Sequence, residues 1–270
     1  MEKLEHTLWI VQAANALLGS LVNALLGLLG MHARNPAEPI PNYIVMVYLI
    51  VIALSALAWM VKSRLSVEDP GKLQLVFEDA VGGIAGMLDT MVGPSGRQFL
   101  PLVGTIGIFI LSGNLMGLIP GLMAPTSSIN VTLGCAITVW VYYHFQGVRA
   151  QGIVSYMKHF AVPPGAHWSL SIVWLPIEVI SHFSRVLSLS LRLFGNIFGE
   201  ELVILILFSI VPFLVPLPMM FLGIITATLQ ALIFVMLTMI YLGGAVGAEH
   251  GHEEAHGHEA AAHHAETVAA

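Results

Sequence analysis

Five stretches of about 20 or more mainly apolar residues follow one another along this chain, at roughly 42–61, 98–119, 128–147, 170–209 and 214–245. An α-helix rises about 1.5 Å per residue, so ~20 residues cross the ~30 Å hydrocarbon core of a bilayer. Hydrocarbon offers no hydrogen-bond partners, so a segment that crosses it must satisfy its own backbone, as a helix does. The expected fold class is therefore all-α: a polytopic membrane protein with about five transmembrane helices. The fourth stretch is too long for one perpendicular crossing and must tilt or bend. Pro212, Pro216 and Pro218 turn the chain into the fifth stretch, so the last two form a long antiparallel pair. Composition agrees: 57% of residues are hydrophobic and 10% charged, against about 25% charged in soluble domains.

Two further segments read as amphipathic interfacial helices. Residues 6–30 are long enough to span, but Gln12, Asn15 and Asn23 suit a helix lying at the interface. Residues 72–92 carry Glu78, Asp79 and Asp89 among apolar residues, the pattern of a surface-lying helix. The chain thus divides into an outer or interfacial segment (1–35), a membrane domain (36–248) and a tail (249–270). No cleavable signal peptide is evident at the N-terminus. The tail holds five Glu, six His and no Lys or Arg, and is expected to be disordered. It supplies most of the net charge of −6, so the membrane body is near neutral and has no basic patch for nucleic acid. Cys135, the single cysteine, has no partner for a disulfide and reads as a small buried hydrophobe. Lys62, Arg64, Lys72 and Arg97 follow the first span, and Arg149 and Lys158 follow the third. Positive loops face the cytoplasm, so the expected location is a bacterial inner membrane, with the N-terminus outside and the C-terminus cytoplasmic.

Between 170 and 248 only five residues carry charge: Glu178, Arg185, Arg192, Glu200 and Glu201. Placing one mid-bilayer costs about 2.5–3.5 kcal/mol on insertion scales, so such residues are functional candidates. Glu178, Arg185 and Arg192 are spaced by seven and drift only ~20° per step around a helix. His182, Leu189, Asn196 and Gly199 join the same stripe at i+3 and i+4 offsets. For Glu178 and Arg185, a structural ion pair competes with a functional role. Arg192 has no acid within four residues on its helix. An antiparallel turn near 211–214 brings Gln230 to the depth of Arg192 and Asn196. Thr226, Thr228 and Thr238 can satisfy themselves on the backbone of their own helix.

The run SLSLRLFGNIFGEEL from Ser188 to Leu202 resembles the signature of subunit a of F-type ATP synthases. The run from Thr228 to Leu242, TLQALIFVMLTMIYL, is similar to that family's last helix. Pro125–Thr132, Leu175–Glu178 and Asn114–Pro120 add matches, and the resemblance extends over roughly 40–245. It implies a stator subunit that forms two offset proton half-channels against a rotating ring of c subunits. The b subunits of the peripheral stalk, the rest of the F0F1 complex and membrane lipid are then partners. Arg192 becomes the essential ring-facing arginine. Glu201, Asn196 and Gln230 become channel positions, Glu178 an acid toward the cytoplasmic exit, and Arg185, His182 and Ser188 further members of the proton path. Two departures stand out. Gly223 occupies a position where some members carry an ionisable residue, and Glu200 is an extra acid beside Glu201 that can substitute for it.

Other readings are weaker. His252–His256 matches H-E-x-x-H, but in low-complexity sequence without the apolar helix that a zinc protease requires. Gly71-Lys72 is followed by Leu73, and Ser66 stands where a Walker A loop needs glycine, so no P-loop is present. The chain is therefore expected to be no enzyme on its own and to need no cofactor or metal. An ion-coupled secondary transporter is the main alternative, but the internal repeats common in such carriers are absent. An intramembrane hydrolase using Glu200, Glu201 and tail histidines lacks a convincing nucleophile.

Overall fold

The computed structural model describes residues 9–28, 35–36, 38–119, 121–161, 171–210 and 216–246. The His/Glu-rich tail and the turn expected near 211–214 lie outside the described residues. Eight α-helices are present among them: α1 (Trp9–Leu28), α2 (Asn42–Ser63), α3 (Lys72–Met91), α4 (Leu100–Met116), α5 (Ile129–Gln151), α6 (Ile153–Ala161), α7 (Ser171–Ile210) and α8 (Pro216–Val246). One 3-10 turn, Gly96–Phe99, leads into α4, and another, Pro125–Ser127, precedes α5. The described residues contain no strand. The all-α reading holds, and four of the five expected spans, all but α5, are helices long and apolar enough to cross a membrane.

The set of such helices differs at two places. α1 belongs to it. The asparagines that argued for an interfacial α1 are satisfied by backbone: Asn15 donates to Ile40 O at 3.0 Å and accepts from Ile40 N–H at 2.9 Å, and Asn23 donates to Pro36 O at 2.9 Å. A polar side chain bonded in this way no longer bars its helix from hydrocarbon. α5 is long enough at 23 residues but falls outside the set. Tyr142, Tyr143, His144 and Gln146 dilute its apolar character, and Tyr143 is 2% exposed, turned inward. α3 also falls outside the set, as expected of a surface helix.

The chain divides into two compact units. The first comprises residues 1–76, 106–133 and 190–232, and the second 77–105, 134–189 and 233–270. In the first, Val11, Met46, Ile50 and Met116 form a buried cluster that joins α1, α2 and α4. In the second, Leu88, Phe99, Val139, Phe234 and Met239 are buried, and Phe99 meets Tyr142 edge to face at 6.3 Å. The Arg97 guanidinium grips the Asp89 carboxylate there at 2.7–3.1 Å, and this hydrogen bonding holds Asp89 below its ordinary pKa.

The two long helices bury stripes at helical spacing. On α7 these are Leu189, Leu193 and Ile197; on α8 they are Ala227, Gln230, Ala231, Phe234, Thr238, Met239 and Leu242. Side chains three and four apart share a face, so each stripe is the side that packs on protein. The opposite faces leave Leu187, Leu191, Leu205, Leu229 and Ile240 exposed, surface suited to lipid or another subunit. α7 has 40 residues, about 60 Å of helix at 1.5 Å each, which confirms that it exceeds one perpendicular crossing.

Candidate functional site

The first unit holds Arg192, Asn196, Glu200 and Glu201 on α7 and Gln230 on α8. Asn196 Nδ2 donates to Gln230 Oε1 at 2.8 Å, so the expected meeting of these two helices at this level is present. Gln230 is 2% exposed, and its Nε2 has no hydrogen-bond partner among the described residues. A buried unpaired donor costs about 1–3 kcal/mol, so such a group calls for a partner or a water.

The adjacent acids have different surroundings. Glu201 Oε1 accepts the backbone N–H of Ala124 at 2.7 Å. Gly117 makes room for this contact: a Cβ there would stand 2.9 Å from Glu201 Oε1 and 2.8 Å from Ala124 Cβ. Glu200 instead lines an open recess of about 200 Å³ with Asn196, Met219, Gly223 and Thr226. Its Oε2 is buried and has no partner among the described residues. A side chain at 223 would collide with the Glu200 carboxylate and with Leu118. Glu200 thus occupies space that the absence of a side chain at Gly223 leaves open.

Arg192 is exposed on α7. Among the described residues no acid pairs with it and no side-chain hydrogen bond holds it. Ser188 is likewise exposed. Ser190 is the buried serine of this run, 1% exposed and 3.2 Å from the Thr132 hydroxyl. Asn114 enters the sequence reading only as the start of the Asn114–Pro120 match, with no role of its own. It accepts from Thr126 Oγ1 at 2.7 Å and donates to Ala227 O at 3.4 Å, tying α4 to α8.

The second unit holds Glu178, His182 and Arg185, and Glu178 and Arg185 do not form the ion pair that was one of their two readings. Glu178 Oε1 lies 3.1 Å from His182 Nε2, one turn along α7. Arg185 stands over the Tyr241 ring, 5.4 Å from its centroid, a cation–π contact. His182 Nδ1 reaches the Tyr143 hydroxyl at 2.7 Å, and His144 Nδ1 reaches the Tyr156 hydroxyl at 2.6 Å. Burial and the nearby Glu178 charge both hold the Tyr156 phenol above its usual pKa. Sequence reasoning missed Tyr143 and Tyr156 and met Tyr241 only within the Thr228–Leu242 run. Tyr143 carries a local signal, Tyr-Tyr-His in an apolar helix; the partners of Tyr143 and Tyr156 lie 39 and 12 residues away. Among the described residues, no cluster of three or more His, Cys, Asp or Glu could hold a metal.

Comparison with known proteins bears on this arrangement. A family described as "ATP synthase A chain" matches residues 43–243. ATP synthase subunit a 3 of Pelobacter propionicus is 47% identical over 207 residues, 77% of this chain and 86% of that protein. ATP synthase subunit a of Geotalea daltonii is 45% identical over 208 residues, 75% of this chain and 86% of its own length. ATP synthase subunit a of Koribacter versatilis is 37% identical over 248 residues, 92% of this chain and 99% of its own. The family match embraces both polar clusters, the helices that carry them and the exposed arginine between Glu178 and Glu201, so the chain belongs to the ATP synthase subunit a family.

Proposed function

We propose that Arg192 works as the fixed cation against which a rotating ring of c subunits turns, with protons entering and leaving through the two polar clusters. As a member of the subunit a family, the chain is the proton-translocating stator subunit of a bacterial ATP synthase. It is a multi-pass membrane protein that functions with the other F0F1 subunits and does no nucleotide chemistry alone. The relatives give no support to an ion-coupled carrier.

One observation carries the role of Arg192: a guanidinium lies exposed on a long apolar helix, with no acid of its own chain beside it among the described residues. A charge facing lipid is costly, so it requires a partner from another subunit. An ionised carboxylate on each ring subunit fits that need. Arg cannot relay a proton, because it holds its own through any physiological pH. Its charge lowers the pKa of an approaching carboxyl and so favours proton release. It thereby blocks direct proton leakage and lets the ring carboxylate pass.

Glu201, Glu200, Asn196 and Gln230 then form the outer route. The unpartnered Glu200 oxygen at the open recess favours hydration there, where water can complete its bonds, and Asn196 joins the recess lining to Gln230. Glu178, His182 and Arg185 form the cytoplasmic route, and Ser188 stands on α7 between them and Arg192. Because the routes lie on opposite sides of Arg192 along α7, a proton must ride the ring between them. The membrane potential then supplies about 2.3 kcal/mol per charge per 100 mV. The b subunits hold this chain against rotation.

The test is ATP-driven proton pumping in vesicles that carry the whole synthase. Arg192→Ala should abolish coupled pumping while the complex still assembles. Arg192→Lys should also fail, because an ammonium covered by the ring and shut off from water can lose its charge. Wild-type coupling in Arg192→Ala would contradict the mechanism.

A further inference from the structure

We propose that the Tyr143 hydroxyl, the His182 imidazole and the Glu178 carboxylate form one hydrogen-bonded proton relay, with Tyr143 a working member of the cytoplasmic route. The relay rests on the reading of Glu178 as part of that route and extends it to a residue on another helix.

The three groups form an unbroken chain. Tyr143 Oη lies 2.7 Å from His182 Nδ1, and His182 Nε2 lies 3.1 Å from Glu178 Oε1. Its ends differ in access. Tyr143 is 2% exposed, and the side chains of His182 and Glu178 are 10% and 25% exposed. The chain therefore runs from the protein interior to its most exposed member, the acid. Other titratable or charged groups surround it. The His144 ring is 4.8 Å from that of His182 and 4.5 Å from that of Tyr143, and Tyr156 is bonded to His144. Tyr241 lies 5.9 Å from Tyr143 and carries Arg185 on its face.

The chemistry of the chain sets its direction. An ionised Glu178 can only accept, so the His182 proton sits on Nε2, and Nδ1 is left to accept the Tyr143 hydroxyl. When a hydronium in the route protonates the Tyr143 oxygen, the phenolic proton passes to Nδ1 and the Nε2 proton passes to Glu178. Each transfer breaks one O–H or N–H bond and forms one, and no charge is left on the imidazole. Glu178 then releases its proton to water at the exposed end. Return of the Nδ1 proton to the Nε2 position through water resets the ring. A structural Tyr–His bond that served only packing would need no graded access and no acid at its far end.

The measurement is passive proton flux through F1-stripped vesicles, with F1 retention before stripping as the check on assembly. Tyr143→Phe keeps the ring and removes only the hydroxyl. It should lower flux by about tenfold or more, the scale on which positioned proton-transfer groups act. The double variant Tyr143→Phe/His182→Gln should be no slower than the slower single variant, since serial links fail once. Imidazole added to His182→Ala should restore part of the flux, and this arm stands even if Tyr143→Phe fails to assemble. Tyr142→Phe, one residue away, should leave flux unchanged. Wild-type flux in an assembled Tyr143→Phe complex, or additive losses in the double variant, would overturn the relay. Absence of imidazole rescue in an assembled His182→Ala complex would do the same. Glu178→Gln separates the two levels: if it is impaired while Tyr143→Phe is normal, only the relay falls, and if both are normal the cytoplasmic route itself is wrong.

Discussion

Glu200 and Glu201 are neighbours with the same side chain, yet their surroundings differ. Glu201 is bonded to the Ala124 backbone, while Glu200 faces an open recess with one oxygen unpartnered among the described residues. Glu201→Gln keeps an acceptor for Ala124 N–H and should be tolerated in assembly, with part of the proton flux sustained by Glu200. Glu201→Ala orphans that N–H, and the complex should lose about 1–3 kcal/mol of stability, read as a fall in its thermal unfolding temperature in detergent. Gly223→Ala tests the other acid. The new methyl meets Glu200 and Leu118, so flux should drop about tenfold or more, on the scale of a displaced proton-transfer group, while the complex still assembles. Normal flux in Gly223→Ala would remove Glu200 from the route.

At the scale of elements, close approach of helices depends on residues without side chains. Gly147 on α5 lets the Tyr156 ring of α6 pack directly against the backbone: a Cβ there would lie 2.6 Å from the ring and 3.3 Å from Ala245. Gly152 turns the chain between those helices at φ +78, a left-handed conformation that favours glycine. Gln151 Nε2 then bonds Ala245 O at 2.8 Å and ties the end of α5 to α8. Gly147→Ala overpacks this junction and should cost about 1–3 kcal/mol. Hydrogen exchange over 153–161 should rise, and the bond between Tyr156 and His144 should loosen. Unchanged exchange would mean that α6 is held by other contacts.

For the whole molecule, orientation follows from where the cations lie. Arg97 is matched by Asp89, and the proposed orientation rests on Lys62, Arg64 and Lys72 after the first expected span and Arg149 and Lys158 after the third. Positive loops stay in the cytoplasm. A cysteine placed at Ser66, in a Cys135→Ala background, should react with an impermeant maleimide from the cytoplasmic side; one at Gly152 should do the same if α5 crosses, and from the opposite side if it does not. A cysteine at Gly121 should react only from the opposite side. The reverse pattern would invert the assignment of the two routes, leaving Arg192 in place.

Much of this was legible along the chain, because hydrocarbon forces its demands on every segment separately. Apolar runs of sufficient length had to become helices, and charges within them had to stand out. That is why α2, α4, α7 and α8 and the site candidates Arg192, Glu201, Asn196 and Gln230 could be named from spacing and motif. The partners of polar side chains could not be named in this way. Whether Glu178 meets Arg185 or His182, which serine is buried, and whether α1 satisfies its asparagines internally depend on contacts between distant segments. Tyr143 acquires a partner 39 residues away, and Glu201 one that is 77 residues away. A hydrogen bond is short-ranged and directional, so only the folded arrangement of helices could choose among the available donors and acceptors.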